Sequence, residues 1–113
     1  MGGSDLFTGT LELLVLRVLA RERMHGFGVG RILRENSSGV LDVAEGVLYP
    51  ALHRLENRGL VDSDWGRTEA GRRAKFYSLT RKGEARLDEI ESEWARFQRA
   101  VRTIPGAARG GAR

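Results

Sequence analysis

His53, Arg54 and Asn57 lie close together on the segment EGVLYPALHRLENRG (Glu45 to Gly59), and Arg67, Arg72, Arg73 and Lys75 follow soon after. All of these side chains can donate hydrogen bonds. Clustered donors of this kind have two natural targets, the base edges in a groove of duplex DNA and the phosphate oxygens along its backbone. Arginine suits the second target, because its planar fork makes two parallel hydrogen bonds. Of the 19 basic residues, 17 are arginine.

Chemistry of turnover is poorly served. The absence of cysteine rules out disulfides, thiolate catalysis and cysteine-ligated zinc. His25 and His53 are the only histidines, far apart and without a carboxylate at ligand spacing, so no metal site is expected. Glu12 and the acids between Glu84 and Glu93 read as solvated or intersubunit charges rather than general acid–base pairs. The glycines form no phosphate-binding motif. We expect no enzymatic activity and no cofactor.

Charge is distributed unevenly. Six basic residues against one acid lie between Gly66 and Lys82, then five acids against Arg86 between Glu84 and Glu93, then five arginines without an acid from Ala95 to Arg113. Net charge is +4, and the chain is 41% hydrophobic and 30% charged over 113 residues, as befits one folded domain with a modest core. The longest apolar run, Leu13 to Leu16, is too short to span a bilayer. The opening Met1-Gly-Gly-Ser-Asp lacks the features of a signal peptide, so a cytoplasmic location is expected.

The elements that must position the basic cluster follow from periodicity. Leu11, Leu14, Val15, Val18 and Leu19 give a core stripe to a first helix over Thr10 to Ala20, and Leu13 and Leu16 carry apolar character almost all round. Such a helix must be covered on nearly every side, which hints at a partner subunit. Met24 to Gly28 reads as a turn, and a second helix then runs to about Ser37 with Val29, Ile32 and Leu33 inward. In the third helix Leu48, Ala51, Leu52 and Leu55 form an inner stripe, opposite Gly46, Pro50, His53, Arg54 and Asn57. A start at Asp42 would leave Pro50 deep inside, where proline is costly, so the helix is expected to start near Glu45 with an irregular first turn and to end at Gly59. Leu60–Trp65 and Ala74–Leu79 alternate as paired strands around a tip at Thr68–Arg73, with Trp65 expected in the core. From Thr80 a last helix carries Leu87, Ile90, Trp94, Phe97, Val101 and Ile104 at 3-4-3-4-3 spacing, the seam of a coiled coil.

Helix, helix, helix, hairpin is the order of a winged helix. The expected fold is mainly α with a small β-hairpin: a flexible N-terminus (1–8), a winged helix-turn-helix domain (9–79), a long C-terminal dimerisation helix (80–104) and a disordered tail (105–113).

Four stretches carry a more specific likeness: GTLELLVLRVLARERMHGFGV (Gly9 to Val29), EGVLYPALHRLENRGLV (Glu45 to Val61), WGRTEAGRRAKFYSLTRKGEARL (Trp65 to Leu87) and ESEWARF (Glu91 to Phe97). Together they resemble the PadR family of bacterial transcriptional regulators, over roughly Leu6 to Ile104. The resemblance implies that Tyr49, His53 and Arg54 sit at the DNA surface. It also implies that Met24-His25 belongs to a structural corner, in which Phe27 replaces the usual tyrosine and its hydroxyl is lost. Some multidrug-binding members stack flat aromatic ligands between paired tryptophans at the place of Trp94. The residues themselves favour Trp94 as a packing residue of the dimer seam.

Site residues follow from these readings. Gly46, Tyr49, His53, Arg54, Arg72, Arg73 and Lys75 are the expected DNA contacts, with Gly46, Val47 and Pro50 letting the duplex come close. Leu87, Ile90, Trp94, Phe97 and Val101 are the expected dimer interface, and Trp94 is also the candidate ligand residue. The partners expected are double-stranded DNA, a second copy of the chain and a planar aromatic small molecule. The function expected is a homodimeric repressor on a palindromic operator. A winged-helix adaptor for protein–protein contacts, without DNA binding, is the alternative; it would have no need of a phosphate-like salt dependence.

Overall fold

A computed structural model of the chain describes residues 3–106, with side chains from Gly9 onward. The elements run α1 (Gly3–Arg21), β1 (Met24–His25), α2 (Gly26–Asn36), α3 (Glu45–Asn57), β2 (Val61–Arg67), β3 (Arg73–Leu79) and α4 (Arg81–Thr103). The fold is mainly α with a small antiparallel sheet, as the order of elements implies. α1 starts at Gly3 rather than Thr10, inside the segment 1–8 expected to be flexible. Once a helical turn exists, each further residue adds one hydrogen bond, so the helix extends past its apolar stripe. Of the tail expected to be disordered, 107–113 lies outside the described residues.

α3 starts at Glu45 despite Pro50. Its N-cap Ala44 offers no side-chain bond, and the Ala44 carbonyl accepts from both Val47 and Leu48 at 2.9 Å, a shared acceptor that tightens the first turn. The other end is well fixed. Gly59 has φ +77°, its N–H donates to Glu56, and the Leu60 N–H donates to Leu55, both at 2.9 Å. This is a Schellman ending, with buried Leu55 and Leu60 as its apolar pair.

The same turn seats α4. The Thr80 N–H donates to the Leu60 carbonyl at 3.2 Å, and the Thr80 hydroxyl donates to the Gly59 carbonyl at 2.7 Å while accepting from Gly83 at 3.0 Å. Gly83 lies so close to the Leu60 carbonyl that a Cβ would collide with it.

The hairpin is longer than its alternation suggests, β2 running to Arg67 and β3 starting at Arg73. A third strand joins it: Met24 pairs with Tyr77 and His25 with Phe76, giving the order β1-β3-β2. The expected turn at Met24–Gly28 is thus a two-residue strand leading directly into a helix. His25 serves both, since its Nδ1 accepts from the Gly28 N–H at 3.1 Å as the N-cap of α2.

The core corrects two expectations about α1. Leu11, Leu13, Val15, Leu16, Val18 and Leu19 are all buried within the single chain, enclosed by α2, α3, β3 and α4. The apolar excess of this helix therefore needs no partner subunit. Glu12, expected to be solvated or intersubunit, is only 8% exposed. One of its oxygens accepts from Arg58 Nη1 and the other from Arg86 Nε, both at 3.1 Å, which ties α1 to the cap of α3 and to α4.

Both the seat of α4 and its pairing with α1 are open to test through stability. Gly83→Ala must push α4 away from the Leu60 carbonyl, and is expected to cost about 1–3 kcal/mol in urea unfolding, whereas an ordinary mid-helix glycine-to-alanine change stabilises by about 0.5–1 kcal/mol. The second concerns the two-pronged pair between Arg17 and Glu91 (2.7 and 2.8 Å), which joins α1 to α4. The hydrogen bonds from Arg17 hold the Glu91 carboxyl below its ordinary range, more than offsetting its slight burial. A depressed carboxylate stabilises the fold above its unfolded pKa, near 4.3, and that contribution disappears as pH falls through the folded value. Glu91→Gln should therefore lower stability by less than about 1 kcal/mol at pH 7, and in thermal melts the deficit should shrink on acidification and vanish once the pH has fallen through the depressed folded pKa.

Candidate nucleic-acid interface

α3 shows two faces. Leu48, Ala51, Leu52 and Leu55 are buried, whereas Gly46, Val47, Pro50, His53, Arg54, Asn57 and Arg58 are exposed. The side chains of His53 and Arg54 have no partner among the described residues, so their donors are open to an external acceptor. Arg58 is committed to Glu12. The early turns expose only small or apolar residues after Glu45, a surface that lets a duplex approach and can touch thymine methyl groups.

Tyr49 does not stand out from this face. It is half-buried, and its ring lies against the backbone of Gly26 at the start of α2, where a Cβ would overlap Cε1. Burial, and secondarily the charge of Glu45, raises its phenol pKa. Its ring therefore sets the spacing of α2 and α3, the two helices of the helix-turn-helix, whatever its hydroxyl touches.

The wing is braced against α3 through Glu56. One carboxylate oxygen accepts from the Ser63 hydroxyl and the other faces Lys75 Nζ at 3.6 Å. Lys75 is thus drawn towards the helix rather than projecting freely. At the tip, the Thr68 N–H donates to Arg72 at 2.8 Å and Gly71 adopts φ +84°. Arg67 Nη1 donates to the Gly71 carbonyl at 2.9 Å and closes the loop. Arg72 is exposed, with no side-chain partner among the described residues. Arg73 lies over the ring of Trp65, 4.2 Å from its centroid.

Trp65 is the clearest departure from the sequence reading. It is 58% exposed, not core. Its alternation with Val61 and Ser63 is sound, and all three share one face of the sheet, but α3 covers that face only as far as Ser63. The strand pattern gives the side of the sheet, not how far the helix beneath it extends.

Comparison with known proteins places this geometry. Residues 15–89 match the model of the transcriptional regulator PadR-like family. The chain belongs to the PadR family. It is therefore a DNA-binding transcriptional regulator and not an enzyme. A PadR-like transcription factor from Bacteroides fragilis shares 34% identity and superposes with a TM-score of 0.76, covering 90% of this chain and 96% of that one. The transcriptional regulator YqjI of Escherichia coli is 31% identical over 72% of this chain, but the match spans only 37% of YqjI. A transcriptional regulator from Clostridium thermocellum, 22% identical with a TM-score of 0.81 over 90% of this chain and 99% of that one, shares the fold.

In this PadR protein the apolar seam of α4 is divided. Ile90 is 3% exposed and belongs to the chain's own core, because α4 packs on α1 along its first half. It is therefore not free to meet a partner, and Leu87, which packs against the same core, is half-buried. Trp94 is also half-buried and meets Phe97 edge-to-face at 5.9 Å. Only Phe97, Val101 and Ile104, 49–71% exposed, are left largely uncovered. A groove of about 630 Å³ between α1 and α2, floored by Leu14, Val18, Ile32, Leu33 and Leu41, does not include Trp94. No described helix is long and apolar enough to cross a membrane.

The contact between Tyr49 and Gly26 is testable by a double-mutant cycle on stability. Gly26→Ala should destabilise the wild-type chain, and distinctly less so when Tyr49 is already alanine, giving a coupling energy above about 0.5 kcal/mol. Additive effects would place the ring elsewhere.

Proposed function

We propose that this PadR regulator acts as a homodimeric repressor in the cytoplasm. Each protomer would lay α3 in the major groove of one half of a palindromic operator, with the wing against the adjacent backbone. The observation that carries the reading is the shared bracing of helix and wing. Glu56 holds Ser63 and Lys75 against α3, so the unpartnered His53 and Arg54 and the unpartnered Arg72 at the tip belong to one rigid surface. Gly46 lets the duplex approach, Tyr49 sets the helix from behind, and Arg73 and Lys75 add positive charge along the ribbon. A protein adaptor would have no need of such a surface, and nothing specific favours that alternative.

The second copy is supported by the uncovered stripe on α4. Phe97, Val101 and Ile104 continue from Trp94, while Leu87 and Ile90 anchor the same helix to its own chain. A two-fold pair of such helices would bring two Trp94 rings near each other, which makes a planar aromatic molecule the natural effector to weaken DNA binding.

The test uses the purified full chain and DNA from upstream of its own gene, titrated by fluorescence anisotropy across a salt series. Combined Arg72→Ala and Arg73→Ala should lower the slope of log K against log salt by about 1–2. An unchanged slope contradicts phosphate contact by the wing. Light scattering at micromolar concentration should give twice the 12.6 kDa chain mass, and a monomer there would sink both the dimer and the palindrome.

A further inference from the structure

We infer that Trp65 and Arg73 form a minor-groove reading element, in which the indole packs against deoxyribose and aims the arginine into a narrow, A·T-rich groove beside the footprint of α3. This rests on the reading of the wing as a DNA-contacting ribbon and adds what the wing selects.

Cross-strand partners share a face of a sheet, and the register places Ser63 opposite Tyr77, Trp65 opposite Lys75, and Arg67 opposite Arg73. At the inner end of this face Tyr77 is buried and Ser63 is bonded to α3. At the outer end the same face emerges from under the helix and carries Trp65, 58% exposed, with the Arg73 guanidinium over its ring. The lysine that could have covered the ring is held back at Glu56. A large aromatic is thus presented at the open end of the sheet face that bonds α3 at Ser63.

The surrounding charge identifies the occupant. From Trp65 to Arg73 the outer wing carries Arg67, Arg72 and Arg73 with Glu69 as the single acid, which suits a polyanion. An indole with a guanidinium on it matches the two components of a minor-groove wall, apolar sugar faces and the negative potential between them. That potential is deepest where the groove is narrow, over A·T pairs. Stacking restricts the Arg73 rotamers before DNA arrives, so less entropy is lost when the fork enters the groove. Trp65 is therefore a positioning residue for Arg73 as well as a contact in its own right.

The test separates shape from charge. The full chain is titrated with a DNA site found upstream of its gene, once with its natural G·C pairs and once with every G·C replaced by I·C. Inosine removes the guanine amino group from the minor groove and leaves the major-groove acceptors unchanged. Wild type should bind the I·C duplex more tightly, by several-fold. Trp65→Ala should lower affinity roughly tenfold with an unchanged salt slope, Trp65→Phe should retain most of it, and Trp65→Ala and Arg73→Ala should each abolish the I·C preference. Because Trp65 is exposed, its alanine variant should melt as wild type does. If Trp65→Ala binds both duplexes as wild type does, or if wild type does not distinguish I·C from G·C, the inference is overturned while DNA binding stands. If no duplex is bound at all, the DNA reading itself fails, and this inference with it.

Discussion

One backbone turn holds the functional parts of this protein together. At Gly59–Leu60 the chain ends α3 in a left-handed residue, enters β2, receives Thr80 at the exit of β3, and seats the first turn of α4 against the Leu60 carbonyl. The helix that faces outward, the ribbon beside it and the helix that carries the apolar stripe thus share a pivot of two residues. Gly59 is needed there because an L side chain rarely adopts φ +77°. Gly83 is needed because a methyl group would occupy the space of a carbonyl.

Glu12 reinforces the pivot from inside. It is a buried carboxylate in the helix at the centre of the core, and its oxygens accept from Arg58 at the cap of α3 and Arg86 on α4. Among the described residues no buried polar side-chain atom lacks a partner, which fits a polar core network kept only where it is satisfied. Displacement of α4, by a partner or a ligand, would act directly on the Arg58–Glu12–Arg86 link and so on the end of α3. That is a short physical route from the proposed dimer helix to the proposed DNA surface.

Much of the fold was legible because local period and local punctuation agree. The stripe of Leu48, Ala51, Leu52 and Leu55 with Gly59 after it defined α3 on both faces, and Pro50 pointed to a start at Glu45. What escaped depends on distant partners. β1 is two residues long and exists only because Tyr77 and Phe76 lie alongside. Glu12 is buried because arginines 46 and 74 positions away reach it. The 3-4 spacing on α4 identified an apolar seam but not who covers it, and the chain itself covers Ile90. Trp65 shows the same limit: alternation found its face, while the extent of α3 decided its exposure.

In the function we propose, α3 and its braced wing form one surface that sits on duplex DNA, repeated by a second copy. Hydroxyl-radical footprinting of the full chain on the DNA upstream of its own gene tests this most directly. Two protected patches related by two-fold symmetry are expected, with centres one helical turn, about 10–10.5 bp, or a whole multiple of it apart. A single patch, or no protection at concentrations where the chain is dimeric, would overturn the paired docking on DNA.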